Sequence, residues 1–69
     1  MCLNEWDGWA DILNRADREG KRVSILVNGS FKPYVGRVVE VRASIVVLMN
    51  EYSKEYISLR DIKAIRVYD

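Results

Sequence analysis

Histidine is absent from this chain, and cysteine occurs once, at Cys2. One thiol forms no internal disulfide, and without histidine or a cysteine cluster the common zinc-ligand spacings are excluded. A nucleophile, base and oxyanion arrangement is equally hard to assemble, so an enzyme is the least favoured reading and no catalytic residue is assigned. The carboxylates Glu40, Glu51, Glu55 and Asp61 read instead as surface and turn residues. A glycine-rich phosphate loop is also missing, and neither a metal nor a cofactor is expected.

Charge of one sign is lacking too: eleven basic residues stand against ten acidic ones, for a formal net charge of +1. Bulk attraction to nucleic acid is thereby excluded, and any anion site must be local. No apolar run approaches the ~20 residues of a membrane span. The opening Met1 to Asp7 runs into acids where a signal peptide would carry a basic and then an apolar region. A lone cysteine fits a reducing cytoplasm; Cys2 is read as structurally idle, with an intermolecular bridge as the alternative.

What is present is a 69-residue chain read as one domain, residues 1–69. A domain of this size buries only about 60% of its unfolded surface, so its core is thin. Disulfide and metal being excluded, self-association is the remaining support.

Asn4 suits an N-cap, Asp7 lies near the positive end of the helix dipole, and Gly20 suits a left-handed closing residue. Between them Trp6, Trp9, Leu13 and Ala16 fall on one stripe, which predicts an amphipathic helix over residues 5–18. The tryptophans are read as packing against the core, with a stacking platform for bases as the alternative. From the helix end into the next element run Arg15, Arg18, Lys21 and Arg22, interleaved with Asp17 and Glu19. This is the densest basic cluster in the chain; by composition alone it reads as a solvated helix end.

Strand signals follow. Val23, Ile25 and Val27 alternate with Ser24 and Leu26, and Asn28-Gly29 ends the run in a tight turn. Pro33 must stand at a strand start or edge, and Tyr34–Arg42 reads as a long strand interrupted by Gly36 at a bend or close approach. Ile45–Met49 is apolar on both faces, which predicts a central strand covered by the interior on one side and by the N-terminal helix on the other. Residues 50–54 read as a polar turn, Tyr56–Leu59 as a short strand, Arg60-Asp61 as a tight, 3₁₀-like turn, and Ile62–Tyr68 as a closing strand with Ile62 and Ile65 inward. The expected fold is mainly β with one N-terminal α-helix: a small five-stranded, strongly bent, SH3-like barrel over about residues 22–68.

Leu13-Asn14-Arg15-Ala16-Asp17-Arg18-Glu19 leading into Val23-Ser24-Ile25-Leu26-Val27-Asn28-Gly29 resembles the first helix and strand of the Hfq branch of the Sm-like (LSm) RNA-binding proteins. Gly36–Val41, Ile45–Asn50 and Ile57–Ile65 resemble that family's bent second strand, apolar third strand and second Sm motif, so the likeness spans residues 12–67. It implies a ring in which the fourth strand of one subunit pairs with the fifth of the next, binding RNA at a pore face, at the opposite face and along an outer rim. Asn14 and Arg18 match the rim positions, with Arg15, Lys21 and Arg22 beside them; Gly29 matches the opposite face, where Leu26 replaces a base-stacking aromatic. On the pore side Arg42 replaces an acidic residue, Ser44 an aromatic or histidine, and Leu59-Arg60 a Lys-His pair. Arg60 matches the arginine of archaeal and eukaryotic Sm proteins, which both stacks on a base and binds phosphate. The function so implied is a non-enzymatic, homo-oligomeric ring that binds single-stranded RNA in the cytoplasm. The alternative is a protein-interaction module or regulator on the same SH3-like scaffold, for instance of phage type, docking on a protein partner through a barrel edge or the helix.

Overall fold

The computed structural model describes residues 7–68 of the chain. The expected N-cap Asn4, the first helical residues 5 and 6, Trp6 and Cys2 lie outside the described residues.

Helix α1 (Asp7–Glu19) carries the stripe read from the sequence. Leu13 and Ala16 are buried in the core, and Trp9 packs half-buried against it, as the packing reading requires. The helix ends one residue beyond the expected Arg18, in a Schellman closure. Gly20 adopts φ 67°, its N–H donates to the Asp17 carbonyl (3.1 Å), and the Lys21 N–H reaches the Ala16 carbonyl (2.9 Å).

Five strands follow: β1 (Arg22–Val27), β2 (Tyr34–Arg42), β3 (Ile45–Met49), β4 (Lys54–Ser58) and β5 (Ile62–Val67), with a 3₁₀ turn at Leu59–Asp61. They form one antiparallel sheet in the order β4-β3-β2-β1-β5. Two boundaries differ from the sequence reading. Lys54 and Glu55 pair with Met49 and Leu48, so β4 starts two residues before Tyr56: a backbone ladder tolerates polar side chains on an edge. Leu59 leaves the strand for the 3₁₀ turn, where it is fully buried.

Val23, Ile25, Val38, Val46, Leu48, Ile57 and Ile62 line the inner face. The helix joins them there, packed chiefly against β2. This corrects the expected helix cover over the outer side of β3. On that outer row Ile45 and Met49 are exposed, and only Val47, between Glu40 and Tyr56, is buried.

The sheet bends sharply at two places. A Cβ on Gly36 would stand 2.7 Å from the Met49 carbonyl oxygen, so β2 and β3 approach as only glycine permits. Further along β2 the register shifts between Val38 and Glu40, leaving Val39 as a bulge. A second shift on β1, between Leu26 and Val27, places both Ile62 and Ile65 toward the interior across an unpaired Lys63. The connections are tied in: the Asn28 N–H donates to the Asp61 carbonyl, and the Leu59 N–H to that of Ser44, each at 2.8 Å. Strands β4 and β5 do not pair with one another, and among the described residues the bent sheet has two open edges.

Candidate nucleic-acid interface

The exposed face of α1 is the side away from Leu13 and Ala16, and the helical repeat places Asn14, Arg15 and Arg18 on it. These three, with Asp11 and Asp17, line a hollow of about 450 Å³. Three of the expected rim residues therefore come together, but two carboxylates share their surface and offset part of the charge.

Lys21 belongs to the helix end, with its Nζ 3.3 Å from a Glu19 carboxylate oxygen. Arg22 does not join the helix hollow. As the first residue of β1 it points to the outer side of the sheet, directly opposite Arg37 of β2. Arg37 in turn stands opposite Met49 of β3, and Met49 opposite Lys54 of β4, so one transverse row runs Arg22, Arg37, Met49, Lys54. Between this row and the turn after β3 lies a groove of about 650 Å³, floored by Val35, Gly36 and Met49 and walled by Arg22, Arg37, Glu51 and Tyr52. Sequence reasoning missed Arg37 and Tyr52, because the residues of the row are separated along the chain and only strand register brings them together.

Arg60 is exposed on the 3₁₀ turn and lines neither the helix hollow nor the groove, and Gly29 lies in the β1–β2 turn. Leu26 is half-buried, and Phe31 on the same β1–β2 connection is fully exposed. Arg42 is engaged with Glu40 at 3.2 Å, and Ser44 contributes its carbonyl to the Leu59 N–H. Glu55 accepts a hydrogen bond from the Ser53 hydroxyl (2.9 Å). Among the described residues no group of three or more histidine, cysteine or acidic side chains is placed to hold a metal ion. No helix among them is long and apolar enough to cross a membrane.

No protein-family model matches this chain, and no curated protein does. A solved structure matches throughout: the 1.55 Å crystal structure of "the pleiotropic translational regulator, Hfq" superposes with a TM-score of 0.77. The fold is Sm-like. The superposition covers 97% of this chain and 100% of that one, at 15% sequence identity, so what the two share is the course of the backbone. One helix followed by a bent, five-stranded antiparallel sheet is the Sm-like arrangement, and the fold expected from the sequence is the fold found. Within it α1 and β1 carry most of the basic cluster, while the 3₁₀ turn carries Arg60.

Proposed function

We propose that this chain acts as a single non-enzymatic, Sm-like RNA-binding domain that assembles into a homo-oligomeric ring in the cytoplasm. Single-stranded RNA lies on a rim formed by Asn14, Arg15, Arg18 and Lys21, with Arg22 on the sheet face beyond it, Arg60 contributing on the pore side and Gly29 on the opposite face. The observation that carries the reading is the open sheet. β4 and β5 each leave one side of their backbone unpaired, and exposed Tyr56, Val67 and Tyr68 accompany those edges. Pairing β4 of one copy with β5 of the next satisfies both edges at once, and repeating the operation closes a ring. A ring multiplies the modest cluster on α1 into a multivalent anion-binding surface.

Sedimentation of the pure protein tests the assembly, and affinity for single-stranded RNA across a salt series tests the ligand. Binding that falls linearly on logarithmic axes is expected, and an absence of binding even at low salt refutes the ligand assignment. Arg18→Ala and Arg60→Ala, measured separately, divide rim from pore.

Asp11 and Asp17 beside Arg15 and Arg18 favour a second reading, in which the mixed charges of the helix face dock a protein partner. A stoichiometric complex that survives RNase treatment, with no affinity for RNA, would establish it in place of the first.

A further inference from the structure

We propose that the groove between β1, β2 and the turn after β3 is a second nucleotide site, in which Arg22 and Arg37 hold a phosphate and Tyr52 stacks the adjoining base. The proposal rests on the reading of the ligand as single-stranded RNA and adds a site that the helix rim does not contain.

Two arginines directly opposite in an antiparallel ladder repel, which lowers stability unless something anionic lies between them. Neither Arg22 nor Arg37 has an ion-pair partner among the described residues, in contrast to Arg42, which Glu40 engages. Their guanidinium groups therefore sit on one face, at one end of the sheet, with their donors available to phosphate oxygens. The next member of the row, Met49, is exposed, and it extends an apolar floor away from the charges.

Tyr52 supplies the other half. It is 92% exposed, which leaves its ring accessible to stack on a base. The turn beneath it is pinned: the Asn50 carboxamide oxygen accepts the N–H of Tyr52 at 2.8 Å and of Ser53 at 2.9 Å, and the Asn50 N–H donates to the Ser53 carbonyl at 3.0 Å. The ring is thus presented on a held turn at the mouth of the groove. A volume of about 650 Å³ falls within the ~300–1,000 Å³ typical of small-molecule clefts and suits a nucleotide unit. Glu51 also lines it, and its carboxylate leaves the groove one net positive charge, enough for one phosphate and too little for a run of them.

The full chain and its variants are to be titrated against a labelled oligouridylate of about 18 nucleotides over a salt series, with circular dichroism confirming the fold. Arg37→Ala is expected to weaken binding at least about tenfold and to reduce the logarithmic salt slope by about 0.7 for each subunit the strand engages, one phosphate contact being lost per copy. Arg37→Gln stands in should the alanine variant misfold. Tyr52→Ala is expected to weaken binding about tenfold with the slope unchanged, and Tyr52→Phe to retain full affinity, since stacking needs the ring and not the hydroxyl. If Arg18→Ala weakens binding while the Arg37 and Tyr52 variants bind as tightly as the unaltered protein, the groove is refuted and the rim stands. If the unaltered protein does not bind at low salt, both fall together.

Discussion

Gly36 sits where β2 passes closest to β3, and its missing side chain is what admits the Met49 carbonyl oxygen. A methyl group there meets backbone that cannot rotate aside, so Gly36→Ala is expected to cost about 1–3 kcal/mol, the usual range for overpacking. At about 4–8 °C per kcal/mol for a domain of this size, thermal denaturation should show a clear drop in Tm. Arg37, its neighbour, predicts the opposite sign. Removing one of two facing cations relieves repulsion, and Arg37→Ala should melt no lower than the unaltered protein in the absence of RNA. At this scale the sequence was informative where chemistry is local: Gly20 as a helix closure and Gly36 as a point of close approach follow from the residue type itself. Arg37 and Tyr52 were not legible, since an arginine and a tyrosine mean nothing special until register and turn geometry set them around one groove.

Among the elements, α1 depends most on a few side chains. Leu13 is fully buried between helix and sheet, and Leu13→Ala should destabilise by about 2–5 kcal/mol, measurable as a shift in the urea midpoint. Arg18 on the opposite face is exposed, and Arg18→Ala should leave that midpoint in place, so a loss of RNA affinity would report the surface and not the fold. The helix and β1 were readable because their apolar periods, 3.6 and 2, are unbroken from Trp9 to Ala16 and from Val23 to Val27. The start of β4 was not, because Lys54 and Glu55 carry no β signal and enter the strand through ladder pairing alone. The same limit explains Arg22. It belongs to the basic run by sequence, yet the first residue of β1 turns it away from the helix and toward β2. The cover of β3 was misassigned for a related reason: an all-apolar strand states that something lies nearby without stating which element supplies it.

For the whole molecule, the two open edges make assembly and stability a single question. If β4 and β5 of neighbouring copies pair, Tm should rise with protein concentration, as it does whenever association favours the folded state. Tyr56, 70% exposed on β4, stands at that edge, and Tyr56→Asp should shift sedimentation toward monomer while circular dichroism keeps its native form. The sheet order also sets a schedule. β1 lies between β2, which follows it closely in the chain, and β5, whose partner residues run from Ile62 to Val67. Of the strand pairings in the sheet, the β1–β5 ladder must close the longest loop, and loop closure is the slow, entropically costly part of forming a sheet. During folding, β1, β2, β3 and β4 can zip as a meander while β1 keeps its far edge bare. The helix then has a surface before the sheet is complete, and closure of the β1–β5 ladder is the step expected to limit the folding rate, which stopped-flow refolding of a β5 variant would check.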